Sequence, residues 1–149
     1  LIRERFPELL SWNISIQATD ISINILDRAR IGMYNAVEVN RGLERSYIEK
    51  YFVKQNDTYR VNSEIRAMIN FSPLNLIGQW PPFERFDLIM LRNVLIYFNS
   101  ETKNRVLEKM HSKLSRDFGV LLLGATESIL ANSLYQVVPL QRCSYYKAS

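Results

Sequence analysis

FDLIMLRNVLIYF, residues 86–98, is the stretch whose reading decides the fold of this chain. An apolar run rich in Leu and Ile ends abruptly in Arg92 and Asn93, and Tyr97 stands one helical turn further on. A strand buried on both faces of a parallel sheet reads as such a run, and ligands collect just past its carboxyl end. The run leads into an amphipathic stretch, ETKNRVLEKMHSKL (101–114), and then a second buried-strand pattern, GVLLLGATES (119–128). Together they predict a β-α-β unit of an α/β protein, with a polar site at its top.

The rest of the chain agrees with that class. Its 149 residues make one domain by length, and 47% hydrophobic with 23% charged residues is ordinary for a globular protein. No apolar run approaches the roughly 20 residues that a membrane span needs. Arg3, Glu4 and Arg5 interrupt any secretory leader pattern at the start. One cysteine, Cys143, and one histidine, His111, rule out an internal disulfide and make a zinc site a poor expectation. A reducing, cytoplasmic location fits this usage. The net charge of +4 raises the question of nucleic acid. Acids interleave with bases in IRERFPE, RGLERSYIEK and TKNRVLEK, however, which reads as solvated faces with local ion pairs. A mildly basic face that steers an acidic protein partner is the better expectation.

Working outward from the central run, residues 1–11 carry Ile2, Phe6, Leu9 and Leu10 on one helical face, with Pro7 as a kink or break. ISIQAT (14–19) reads as a short strand, and Asp20 or Ser22 as the cap of a helix bearing Ile25, Leu26 and Ala29 and closed by Gly32. Residues 33–68 show no strong period. Helical ERSYIEKYF, a polar turn KQNDT, strand-like YRV and helical NSEIRAM predict a small inserted lobe there. INFSPLN (69–75) reads as a strand ending at Pro73-Leu74-Asn75, followed by the loop GQWPPFER. Asn99 or Ser100 caps the helix bearing Val106, Leu107, Met110 and Leu114. YQVV (135–138) and RCSYYKA (142–148) read as a closing hairpin.

The order of these motifs resembles the C-terminal part of CheR-type chemoreceptor glutamate methyltransferases. ATDIS followed by LDRARIGMY resembles that family's second strand and following helix, and SPLNL its adenine-side loop. FDLIMLRNVLIYF is close to the family signature, and LLLGATES is similar to the strand after it. The resemblance implies a Rossmann-like, S-adenosylmethionine-dependent methyltransferase sheet over residues 1–149, with a small β-subdomain inserted at about 33–68 and a last antiparallel hairpin. It further implies that the family's first strand and glycine-containing cofactor loop fall outside these residues. That strand lies between strand 2 and the FDLIMLR strand, so the middle of the sheet is expected to lack a partner. Strand rearrangement, swapping or dimerisation would then be needed to satisfy it. The family often has His after the Gly of its strand-5 motif, whereas Ala125 follows Gly124 here.

Site residues follow from pattern and resemblance together. Asp20, between a strand and a helix, reads as a helix cap or as a carboxylate holding ribose hydroxyls, the latter favoured by the resemblance. Asn75 offers a donor and an acceptor to an adenine edge, and Leu76 a backbone and side chain to the same ring; a turn-forming Asn is the plainer alternative. Arg92 and Asn93 resemble the family's cofactor-contacting pair, although Arg92 also suits a structural ion pair. Tyr97, four beyond Asn93, shares a face with it if the turn is helical, and resembles the tyrosine facing the transferred methyl; a buried Tyr with a satisfied hydroxyl is the alternative. Leu95, Ile96 and Phe98 are expected in the core. Glu127 and Ser128 are expected to cap the next helix.

The implied reaction is direct displacement by a glutamate oxygen of a receptor's cytoplasmic region. A carboxylate with a pKa of about 4.3 is ionised at pH 7, so no general base is required. In some family members a glycine-containing loop of the inserted lobe receives a tethering peptide. KQNDT has no glycine, and independence from such a peptide is expected. The competing readings are a methyltransferase for another protein or a small molecule, and a non-catalytic receptor-binding module.

Overall fold

The computed structural model describes residues 1–129, 133–141 and 143–149. It divides into two units, Leu1–Asn75 and Leu76–Ser149, each with its own sheet structure.

In the first unit, helix α1 (Ile2–Arg5) stops before Pro7, which opens a separate 3-10 turn over Pro7–Ser11. Proline lacks an N–H and suits the first position of a new turn, so the single apolar face expected over 1–11 becomes two pieces. Strand β1 (Ile16–Asp20) leads into α2 (Ile23–Ile31). Ser22 is the cap, its Oγ accepting from Ile25 N at 3.4 Å, and Gly32 closes the helix at φ 67°. That left-handed geometry favours glycine. Next come β2 (Met33–Asn35), α3 (Ala36–Asn40), α4 (Arg45–Tyr51), β3 (Phe52–Gln55) and β4 (Thr58–Val61). The three strands form an antiparallel sheet in the order β2-β4-β3. β2 and β3 depart from the sequence reading. Three or four residues are too few to show a period of two, and Phe52 prolongs the helical pattern of α4. The β3–β4 turn places Asn56 at φ 53°, a left-handed position that Asn tolerates without glycine. After α5 (Ser63–Ala67), strand β5 (Ile69–Pro73) pairs in parallel with β1, Ile16 opposite Ile69 and Asp20 opposite Pro73.

In the second unit, β6 (Leu88–Leu91), α6 (Ser100–Lys113) and β7 (Val120–Leu123) make the expected β-α-β crossover. The hairpin of β8 (Tyr135–Pro139) and β9 (Ser144–Ala148) completes a sheet ordered β6-β7-β9-β8, parallel at β6/β7 and antiparallel beyond. Arg142, the first residue of the expected second hairpin arm, lies outside the described residues. Asn99 caps α6, its side chain accepting from Thr102 N at 2.9 Å. The buried face of α6 places Val106, Leu107 and Met110 against Leu91, Leu95 and Leu121. Residues 78–85 form no helix or strand, yet they are pinned to α6. Lys109 Nζ donates to the carbonyls of Leu76, Ile77 and Gly78, and Lys113 Nζ to that of Phe83. These two lysines stand one turn apart and bind backbone, so Lys109 does not form the local ion pair read from TKNRVLEK.

β6 corrects the expectation of burial on both faces. Leu91 is buried, while Leu88 and Met90 are 50% and 62% exposed. The helix α6 covers one face of this strand and no other described helix of this unit covers the opposite one. Likewise Leu95 enters the core and Phe98 packs against it, but Ile96 is half exposed. Among the described residues β1 pairs only with β5, and β6 only with β7. No described helix is long and apolar enough to cross a membrane.

Candidate functional site

Beyond Leu91 the chain must leave β6 and re-enter as α6, and Arg92–Asn99 make that passage. Asn93 adopts a left-handed backbone at φ 57°, and Leu95–Tyr97 form a 3-10 turn. The expected single helical turn from Asn93 to Tyr97 is therefore absent, and the four-residue spacing does not align the two side chains on a helix face. Tyr97 is 79% exposed, which removes the reading of a buried tyrosine. Arg92 is exposed too, and among the described residues no carboxylate lies within ion-pair distance of it. The structural ion pair suggested for Arg92 is thus not observed.

A carboxylate that the sequence reading assigned elsewhere shapes this turn. The helix that Glu127 and Ser128 are expected to cap would begin at residues 130–132, which lie outside the described residues. The Glu127 side chain reaches back to the neighbouring strand tip. Oε2 accepts from the backbone N–H of Asn93 at 2.7 Å and of Gly124 at 2.9 Å. Oε1 accepts from Val94 N at 2.9 Å and Leu95 N at 2.7 Å. Residues leaving a strand and opening a 3-10 turn carry N–H groups with no backbone partner, and a buried one is costly if left unpaired. Burial pushes the Glu127 carboxyl up, but the four N–H bonds outweigh it and hold the group below its ordinary value. A signal for this existed in the sequence: an acid just past the end of the strand next to β6. Only the parallel pairing of β6 with β7 brings it within reach.

Gly124 is required by space. A Cβ there would stand 2.5 Å from Glu127 Oε2 and 2.9 Å from Asn93 Oδ1. Beside the turn lies a hollow of about 380 Å³, lined in part by Leu95, Ile96, Lys103, Thr126, Glu127 and Ser128.

The remaining candidates divide between the two units. In Leu1–Asn75, Asp20 closes β1, and one carboxylate oxygen accepts from Ser22 N at 2.8 Å. The Asp20 carbonyl accepts from Leu74 N at 2.9 Å, so Asp20 and the Pro73–Asn75 turn stand at the same end of the β1/β5 pair. Asn75 is exposed. In Leu76–Ser149, Leu76 packs its side chain against the core, and its carbonyl accepts from Trp80 Nε1 at 3.0 Å as well as from Lys109. The expectation that the Leu76 side chain holds a ligand ring meets that packing. Among the described residues no cluster of His, Cys, Asp and Glu could hold a metal ion.

The sequence has relatives among known proteins. The chain is 40% identical over 128 residues to a chemotaxis protein methyltransferase of Vibrio parahaemolyticus, covering 85% of this chain and 46% of that protein. It is 38% identical to chemotaxis protein methyltransferase 1 of Vibrio cholerae, covering 86% of this chain and 46% of the relative. With chemotaxis protein methyltransferase 1 of Pseudomonas aeruginosa the identity is 35%, over 91% of this chain and 48% of the relative. The chain thus spans about half the length of the curated relatives it matches. The family profile described as CheR methyltransferase, SAM binding domain, matches residues 1–143. With this match over nearly its whole length, the chain belongs to the CheR methyltransferase family, whose SAM-binding domain it carries.

Proposed function

We propose that this protein transfers a methyl group from S-adenosylmethionine to glutamate side chains in the cytoplasmic region of bacterial chemoreceptors, forming the methyl esters that serve chemotactic adaptation. It does so in the cytoplasm. The observation that carries the reading is Tyr97, 79% exposed on a turn at the carboxyl end of β6, in a chain matching the family over residues 1–143. When bound, the cofactor supplies an electrophilic methyl on a positively charged sulfur. Asp20 holds the ribose hydroxyls through the carboxylate oxygen that Ser22 N leaves open. Asn75 and the Leu76 backbone read the adenine edge. Arg92 and Asn93 hold the amino-acid end. Tyr97 orients the incoming glutamate carboxylate, which is ionised at neutral pH and needs no base. Rate then comes from alignment and from excluding water around two opposite charges.

Residues 33–68, with the β2-β4-β3 sheet, form a subdomain inserted into the methyltransferase unit, and this subdomain works without a tethering receptor peptide. β1 and β6 obtain partners from a strand outside these 149 residues or from a second copy. A 149-residue monomer that binds the cofactor tightly in calorimetry would overturn that last statement.

The test of the function is transfer of labelled methyl from S-adenosylmethionine to receptor cytoplasmic fragments by the full-length protein. Tyr97→Phe is expected to lower kcat about tenfold or more with cofactor Kd unchanged, and Asp20→Asn to weaken cofactor binding. Unchanged turnover in Tyr97→Phe removes Tyr97 from catalysis. Base-stable label, or label on other proteins in preference to receptors, overturns the substrate assignment.

A further inference from the structure

We infer that Glu127 is a positioning residue that fixes the backbone of the β6 tip and so sets the places of Asn93 and Tyr97. The role in catalysis rests on the function proposed above; the clamp itself does not. Glu127 is only 9% exposed, yet no cation neutralises it among the described residues. All four of its bonds go to main chain, three to the consecutive residues Asn93, Val94 and Leu95 and one to Gly124. The carboxylate therefore ties the carboxyl ends of β6 and β7 together across the strand pair.

Two features make this more than ordinary satisfaction of buried groups. Asn93 occupies a left-handed backbone, which Asn tolerates better than most residues, and its own N–H is one of the four donors. Moreover, each carboxylate oxygen serves two N–H groups, so both must be acceptors. A glutamine in the same pose turns an NH2 toward two donors at one of those positions, and no rotation of the amide satisfies all four. The space is closed as well, since a Cβ on Gly124 would strike both Glu127 Oε2 and Asn93 Oδ1. The chain thus offers two independent ways to break one clamp: neutralise Glu127, or crowd it from Gly124.

The first readout needs only the unmutated full-length protein. The amide protons of Asn93, Val94, Leu95 and Gly124 are expected to shift together in NMR spectra as the carboxyl of Glu127 is protonated, on a curve displaced to lower pH than a free glutamate. Independent titration, or none, overturns the clamp. In the second, Glu127→Gln and Gly124→Ala are each expected to speed exchange of the 93–95 amides at least tenfold while those of Leu121–Leu123 keep their protection. Each is expected to lower kcat about tenfold or more with receptor KM changed less than threefold. The double variant is expected to be no worse than the more impaired single by more than twofold, and Glu127→Asp, which keeps the charge, to recover part of the loss. Full protection and full turnover in Glu127→Gln overturn the inference. Lost protection with unchanged kcat overturns the positioning role, leaving a structural bond only. An unmutated protein that transfers no methyl but shows the joint amide titration supports the clamp and counts against the proposed function instead.

Discussion

The two units are held by different forces. In Leu1–Asn75 the buried apolar side chains are Leu26, Val39 and Ile48, while Ile21, Ile23, Ile25 and Ile31 are exposed. Every ion pair among the described residues lies there: Arg3–Glu64, Arg28–Glu38, Asp27–Arg30, Arg45–Glu49 and Glu4–Lys50. In Leu76–Ser149 a continuous cluster joins β6, α6, β7 and the hairpin, and the charged groups that matter, Lys109, Lys113 and Glu127, bind main chain. Exposed ion pairs contribute at most about 1 kcal/mol each, against roughly 1.5–3 kcal/mol for a fully buried aliphatic side chain. The two units are therefore expected to differ in stability. What differs is whether a sheet has enough strands and a covering helix to close a core.

The largest expected effect sharpens that contrast. Leu121, 0% exposed in the middle of β7, is expected to cost about 2–5 kcal/mol on replacement by Ala, read by urea denaturation. Val53→Ala on the exposed side of β3 is expected to cost under about 0.5 kcal/mol. A loss below about 1 kcal/mol at Leu121 would mean that the second unit has no closed core. Hydrogen exchange asks the same question without mutation. Amides of β7 are expected to exchange about a hundredfold more slowly than those of β1, which has one strand partner. Equal protection would break the comparison.

Glu127 supplies a pH-dependent case. Its carboxyl is held below the ordinary value of 4.5, so the folded state favours the ionised form. The resulting stabilisation is complete above about 4.5 and is lost as pH falls through the lowered value. Glu127→Gln is expected to cost about 2 kcal/mol at pH 7, the scale of a charged hydrogen bond, and the gap to wild type should narrow in acid. A gap that stays constant from pH 7 to pH 3 would show that burial, not charge, carries the effect. The smallest change is expected from Arg45→Ala, under about 0.5 kcal/mol. It breaks only the exposed i,i+4 pair with Glu49, and added salt should mask the loss.

Legibility in the sequence follows the same division. The β6-α6-β7 unit and the closing hairpin announce themselves through their apolar runs and the cap at Asn99, although β6 does not have the burial on both faces that its run suggests. α2 is readable from Ser22 and Gly32, whose roles as caps are local. β2 and β3 are not, being three or four residues long and stabilised by pairing with β4 rather than by a pattern of their own. Of the candidate site residues, Asp20, Asn75, Arg92, Asn93 and Tyr97 are nameable from their places near strand ends together with the family resemblance. The left-handed turn at Asn93, the exposure of Tyr97 and the engagement of the Leu76 carbonyl are not.

Local chemistry along the chain settled where α2 and α6 begin and which polar residues stand at the tips of β1 and β6, because caps, glycines and apolar periods act over a few neighbours. Tertiary structure alone decided which backbone amides would lack partners at the end of β6 and which distant acid would meet them. Glu127 and Asn93 are 34 residues apart, and only the parallel register of β6 and β7 turns that separation into a 2.7 Å hydrogen bond.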